Sequence, residues 1–470
     1  MKRNTFRKIS TMLVIAVFAV NFSGCLKQTT IPKSAVSLEF WGVFDDSTAY
    51  NNAIDEYRKM DSIVSDIRYK KFNVNEYRND LIDALAAGNG PDIFMINSAW
   101  IPDFENKIAF APKEVFGEKE FRDTFVDVAA NDLLSSNGEV MGTTLSVDSL
   151  ALYYNKDIFN AVGVTAPPKT WEEFVDIAKK TTRISDTGDI LQSGAAMGSV
   201  NNINRATDVI DMLLFQNGVS LPQRNNGIVN LNQTIRTKDD TVSGGSNALE
   251  FYTRFANSNS PTYTWSSDES MHYSLDEFYE GDLAMMFNFS WHYETIKSKN
   301  SKLNFAVTTI PQLNPNSPAN TSNYWVLVVS KNKIQGDSGS GVAVSNETRT
   351  LEAWQFLKFL TAKNNGQFGL INPLTGEKVT YTMSSDPAKD YVIQTNKPAA
   401  RRDIIEEQKN DPFLGPFVQG NLIAKSWIRN NSDSIESVWG DVVSEINKGG
   451  TTVGQGLNIA NTRINNFLTK

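Results

Sequence analysis

The sequence predicts an α/β fold, on three observations. Runs of strand formers alternate with helix-period segments through the first hundred residues, which favours a largely parallel sheet covered by helices. Turn clusters such as Gly88-Asn89-Gly90-Pro91 punctuate those segments at regular intervals. The composition is that of a globule: 40% of the 470 residues are hydrophobic and 21% charged, with 29 Gly and 16 Pro, which excludes disordered, collagen-like and polytopic membrane chains. This length suits two or three cores, or one discontinuous two-lobed body.

Element by element, residues 1–11 carry four cations and no acid, and Met12 to Val20 is an unbroken apolar run that ends near Asn21-Phe22-Ser23-Gly24-Cys25. These are the n-region, h-region and small-residue site of a secretory signal, too short to span a bilayer core. Residues 25–35, polar and without period, read as a tether. VSLEFW (36–41) predicts a strand, 50–60 a helix, 67–72 a strand, 77–87 a helix and DIFMI (92–96) a buried strand. In such a sheet ligands sit beyond the carboxyl ends of the strands, which points to the loops 42–46 and 97–100. Further strands are predicted at 149–155, 283–289, 304–310 and 324–329. Helices are predicted at 171–181, 208–215, 350–361, 420–429 and 435–448. Thr170 with Glu173 makes a capping box for the first of these. The polar stretches 184–204 and 225–247 read as surface loops.

Charge narrows the function classes. There are 45 Lys plus Arg against 53 Asp plus Glu, and loss of Lys2, Arg3, Arg7 and Lys8 with the signal makes the body more acidic still. Without a basic run it repels phosphate backbones, so no nucleic acid is expected as a partner. One cysteine and two histidines exclude an internal disulfide and the usual zinc sites, and no metal or cofactor is expected.

Six segments in order, VDSLALYYN (147–155) running into TWEEFVDIAKK (170–180), GPDIFMI (90–96), YEGDLAMMFNFSW (279–291), FAVTTIPQ (305–312), YWVLVVSK (324–331) and AWQFLKFLT (353–361), resemble the extracellular solute-binding proteins of ABC importers, the maltose-binding-protein-like family. Ser23-Gly24-Cys25 resembles a lipobox, in which the cysteine is acylated. Phe22 stands where that motif usually has Leu. The resemblance implies a two-lobed periplasmic-binding-protein-like fold of type II, with discontinuous lobes joined by three crossovers near Ser146, Trp325 and Ile404. Lobe one is then 36–146 with 326–404 and lobe two 147–325 with 405–470, after a signal peptide at 1–24. It implies a monomer, lipid-anchored through Cys25 at the extracytoplasmic face of a membrane, that captures a small-molecule solute, a sugar or oligosaccharide, and delivers it to the permease subunits of an ABC importer.

By the same resemblance, Trp291 stands where sugar-binding relatives stack a tryptophan on a ring, and Asp148 where they place a carboxylate that accepts hydroxyl hydrogens. Other residues carry two readings each. Trp41 lines the cleft or packs beneath it, and Asp45 accepts hydroxyls or serves as a helix N-terminal acid. Asn97, Ser98 and Trp100 follow the GPDIFMI strand, where the best-known sugar binders carry an Asp-Arg pair. Gln216, Asn217 and Asn288 read hydroxyls or cap their elements. Tyr324 and Trp325 lie at the second crossover; Arg401 reaches the ligand or ties the lobes; Trp439, on an apolar helical face, is a weaker candidate.

The chain lacks GxSxG, Walker A and HExxH patterns, so no catalytic residue is assigned. A carbohydrate-active enzyme with two opposed carboxylates and a surface adhesin on the same anchor are the alternatives.

Overall fold

The computed structural model describes residues 36–61, 63–222, 227–236, 241–267, 271–333, 344–373, 375–427 and 431–468. The signal segment, Cys25 and the tether lie outside these residues. Among the described residues no helix is long and apolar enough to cross a membrane, and no group of three or more His, Cys, Asp or Glu could hold a metal ion.

Strand Ile93–Asn97 is the centre of a five-stranded sheet in the order Val64–Phe72, Val36–Val43, Ile93–Asn97, Trp325–Ser330, Ile108–Ala109. Its first two pairings are parallel and the two made by Trp325–Ser330 antiparallel. The sheet is therefore mixed where a largely parallel one was expected, because Trp325–Ser330 enters from the far side of the molecule. Period-two alternation buries Leu38 and Phe40 and turns Trp41 to the other face, where its ring packs on Phe72 at 4.4 Å. Helices Thr48–Met60, Val74–Ala86 and Asn346–Thr361 belong to the same half, Asn73 capping the second through its side chain.

The second half is built on antiparallel pairs, Met285–Asn288 and Phe305–Thr308 flanking Ala151–Asn155. Helices Trp171–Thr181, Ala206–Gln216, Gly244–Thr253, Ser432–Asn447 and Val453–Leu468 complete it. The Thr170 capping box forms, with both reciprocal hydrogen bonds present.

Buried apolar residues fall into two clusters. One draws on 36–147 and 324–405 with Val418, the other on 150–319 and 417–464. The chain passes between them three times. A small sheet of Asp148–Ser149, Asn320–Asn323 and Ala424–Lys425 lies at these passages. Asn320–Asn323 is separated from Trp325–Ser330 by Tyr324 alone.

Three local expectations fail. The stretch 184–204 is not all surface loop: it contains strand Ile190–Gln192, and residues 193–199 are buried. Residues 420–429 are not one helix: Leu414–Asn421 is helical, and the chain then turns into strand Ala424–Lys425. Asn421 ends the helix by turning its amide onto the Val147 carbonyl, and Ala424–Lys425 pairs with Asn320–Thr321. The polar stretch 225–247 also contains strand Thr241–Ser243 and the start of helix Gly244–Thr253, capped by Ser243.

Glu352 is fully buried between helices Asn346–Thr361 and Thr48–Met60, where Gln355 (3.2 Å) and Tyr57 (3.5 Å) donate to one of its oxygens. Burial, then the neighbouring Asp61, push its pKa up to about 10. The folded chain thus keeps a proton that the unfolded chain releases above the ordinary carboxylate range, and this contribution to stability is lost as pH rises toward 10. The slope from one such group is at most about 1.4 kcal/mol per pH unit. Denaturant melts across about pH 7 to 9 should fall less steeply for Glu352→Gln than for the natural chain; parallel profiles would show that Glu352 is already ionised.

Candidate functional site

A cleft of about 570 Å³ opens between the two cores, at the carboxyl ends of strands Val36–Val43 and Ile93–Asn97. It is continuous through Asn97, Arg205, Asn323 and Trp325 with a side chamber of about 200 Å³.

The wall on the first core begins with the turn after Val43. Gly42 lets it form, because a Cβ there would lie 2.7 Å from the Tyr69 hydroxyl. That hydroxyl donates to the Asp45 carbonyl (2.9 Å). The Asp45 carboxylate, nearly buried, accepts from Tyr391 (2.7 Å), Tyr50 (3.1 Å) and the Lys397 ammonium (2.5 Å). Burial, then the neighbouring charges, hold the Tyr50 and Tyr391 hydroxyls well above the ordinary phenol range, so they stay protonated and donate. Asp45 thus lines the cleft, but most of its accepting capacity goes to its own lobe.

Asn97 caps the turn Ser98–Trp100 through Ala99 N–H and donates across to Asn323 (3.0 Å). Trp325 is met edge-on by Trp100 (5.2 Å) and by Phe44 (5.3 Å), which gives this wall an aromatic surface. Ser98 and Trp100 line the side chamber.

On the second core, Trp291 is 44% exposed and stacks on Phe289 at 4.6 Å with an 18° interplanar angle. Its free face borders the cleft. Asp148, only 5% exposed, accepts from Ser149 N–H (2.9 Å), Ser290 N–H (2.9 Å) and the Ser290 hydroxyl (2.5 Å). Burial pushes its carboxyl up to about 7 against the pull of these donors and of Lys397. It lines the cleft while tying the first passage to the loop that carries Trp291. His292, just behind, is held down to about 4 by burial and by the Arg205 charge, so it is neutral.

Six sequence candidates lie elsewhere. Trp41 faces Phe72 and Lys70. Gln216 is a buried clamp, accepting from Trp171 and Leu313 N–H and donating to the Pro311 and Ala319 carbonyls. Asn288, the last residue of its strand, accepts from Phe289 N–H. Arg401 is buried in a double ion pair with Asp386 and Asp403 inside the first core. Trp439 is core. Asn217 caps its own helix at Leu213, and Tyr324 lines the cleft with its hydroxyl turned inward to Asp132 (2.7 Å). Most of these groups are taken up by their own half of the fold, although Asn288 Nδ2 and Trp439 Nε1 are buried there without a hydrogen-bond partner.

Sequence reasoning missed Phe44, Arg205, Ser290, Asn323 and Lys397. Phe44 lies within the loop 42–46 to which the sequence pointed, though not singled out there, and Ser290 is the chain neighbour of Trp291. Lys397 stands four residues before Arg401. Arg205 carried no signal, lying in a polar stretch ahead of a helix.

The profile of the bacterial extracellular solute-binding proteins matches residues 52–389. The chain belongs to that family. Its members bind solutes and do not transform them, which removes the enzyme alternative. The sn-glycerol-3-phosphate-binding periplasmic protein UgpB of Pectobacterium atrosepticum is 24% identical over 329 residues, 66% of this chain and 67% of the relative. A maltotriose-binding protein of Pyrococcus abyssi is 21% identical over 374 residues, 79% of this chain and 68% of the relative. The fold is the α/β periplasmic-binding-protein-like one. The cyclic alpha-maltosyl-1,6-maltose binding protein from Arthrobacter globiformis superposes with a TM-score of 0.69 at 17% identity, over 92% of this chain and 99% of that one.

In this solute-binding protein the Asp45–Lys397 pair can be tested without a ligand. Lys397→Met strips a nearly buried carboxylate of its cation and should cost about 2 kcal/mol, a discount for the ammonium's partial exposure included. The double variant with Asp45→Asn should cost less than the sum of the singles. Additive losses in denaturant melts would mean that the pair contributes nothing.

Proposed function

We propose that this chain captures a sugar or oligosaccharide outside the cytoplasmic membrane, anchored there through acylated Cys25, and delivers it to the permease of an ABC importer. The observation that carries the reading is the cleft itself, with Trp325 and Phe44 offering aromatic surface on one side and Trp291 on the other. A sugar presents an apolar C–H face to such rings and hydroxyls to the groups between them. The relatives named for maltotriose and for cyclic maltosyl-maltose support a carbohydrate. The relative named for glycerol 3-phosphate keeps an anion as the second reading: Asp45 neutralises Lys397, whereas Arg205 lines the cleft with Asp208 3.9 Å away.

The lobe division 36–146 with 326–404 and 147–325 with 405–470, with closure about the three passages, belongs to this proposal. Ligand contacts both walls only when they approach, so binding favours the closed arrangement. Small-angle scattering should show a smaller radius of gyration with saturating maltotriose. Trp291→Ala should weaken binding by about 1 to 3 kcal/mol, about five-fold to more than a hundred-fold, with little change in the unliganded melt. Saturation without contraction would favour a rigid adhesin, and an unweakened but destabilised Trp291→Ala would make that residue structural.

The anchor has its own test. Cys25→Ala should release the folded protein from the membrane fraction of expressing cells. Unchanged retention would overturn the lipid attachment and leave solute capture untouched.

A further inference from the structure

Among the described residues four non-glycine positions have left-handed backbone: Phe44 (φ 65°), Arg205 (66°), Asn396 (50°) and Asn431 (56°). Phe44, Arg205 and Asn396 line the cleft, and Asn431 adjoins Ser432 of the side chamber. Asparagine tolerates this conformation, whereas for a bulky residue it is a genuine strain.

Phe44 is the middle residue of a γ-turn closed by Asp45 N–H on the Val43 carbonyl (2.7 Å), the uncommon kind with positive φ. Yet its ring is 51% exposed and is not part of the apolar core. The turn is held from outside by the ties on Asp45, so the strain orients a ring that gives little back to the fold. Arg205, on the opposite wall, precedes helix Ala206–Gln216 without capping it. Its Nε is buried with no acceptor, and the nearest carboxylate, Asp208, stands 3.9 Å away. Arg78, Arg254 and Arg349 have the same orphaned Nε, but of the four only Arg205 lines the cleft, where a partner from outside the chain can reach its guanidinium.

We propose that Phe44 and Arg205, one from each side of the cleft, are specificity-determining contacts. The Phe44 ring covers the apolar face of a ring-shaped solute, and the Arg205 guanidinium donates to its oxygen acceptors. The pair selects an oxygen-rich ring compound with acceptors at one edge. This rests on the cleft being the solute site, and deepens that reading by naming what discriminates among solutes.

The test separates strain from contact. At both positions, glycine removes the side chain and the strain, and alanine removes the side chain alone. In melts without ligand, Phe44→Gly and Arg205→Gly should unfold at or above the natural temperature, and each alanine variant below its glycine counterpart. In calorimetric titration with maltotriose, and separately with glycerol 3-phosphate, all four should lose at least about ten-fold in affinity for whichever probe the natural chain binds. Glycine variants that melt lower than the natural chain would make these residues structural, and glycine variants that bind as tightly would remove them from recognition; either overturns the proposal. If neither probe binds the natural chain, the sugar reading is what fails. The melting order then still supports the pair, if glycine exceeds alanine, or overturns it, if the two coincide.

Discussion

The cleft depends on one nearly buried carboxylate. Asp45 lies one residue beyond the strained Phe44 and gathers donors from Tyr50 on the next helix and from Tyr391 and Lys397 some 350 positions later in the chain. A carboxylate taken out of water must be matched by donors, and here the donors are what fasten the distant segment Pro387–Thr395 and its extension to the loop after the first strand. Tyr69 completes the hold through the Asp45 carbonyl, a contact that exists only because residue 42 has no Cβ. An aromatic side chain can therefore be presented to solvent on a backbone that it would not choose alone.

The second constraint is at the passages between cores. A strand of one sheet, Asn320–Asn323, is separated from a strand of another, Trp325–Ser330, by Tyr324 only. Tyr324 is fixed at both ends, its hydroxyl on buried Asp132 and its carbonyl taken by Ser98 N–H. Neighbouring passages are sewn to it: Thr144 donates to the Trp325 carbonyl and Ser146 to the Pro398 carbonyl. Asn323, Trp325 and Asp148 consequently line the cleft from segments that the passages hold in place.

How much of this is legible in the sequence follows the range of the interactions. Period and caps are local, so the strands around Phe40 and Ile96 and the Thr170 capping box could be read directly. The break after Asn421 could not, since the amide that ends the helix bonds a carbonyl from residue 147 and the strand that follows pairs with residues 320 and 321. Side-chain fate is less legible still. Gln216 and Arg401 are the kinds of residue that bind hydroxyls, and both are consumed by carbonyls and carboxylates of their own halves. Lys397 and Phe44 were hidden for the opposite reason: what gives each its place is Asp45, far from one and adjacent to the other.

The charges around the cleft point to how it holds its ligand. Lys397 is neutralised by Asp45, Asp148 is wrapped by the Ser290 and Ser149 donors with its carboxyl raised to about 7, and His292 is neutral. Arg205 and Glu294 add one charge of each sign to the lining, so recognition falls largely to contact: aromatic faces, and the few donors left unmatched. Contact of that kind is short-ranged and grows only as the walls approach. The rings of Phe44 and Trp325 and that of Trp291 belong to different cores, so a solute that covers both sets supplies the surface that the protein lacks when open. If the lobes close as proposed, the free energy of binding and that of closure are largely the same quantity, and a solute too small to touch both walls is bound without closing them.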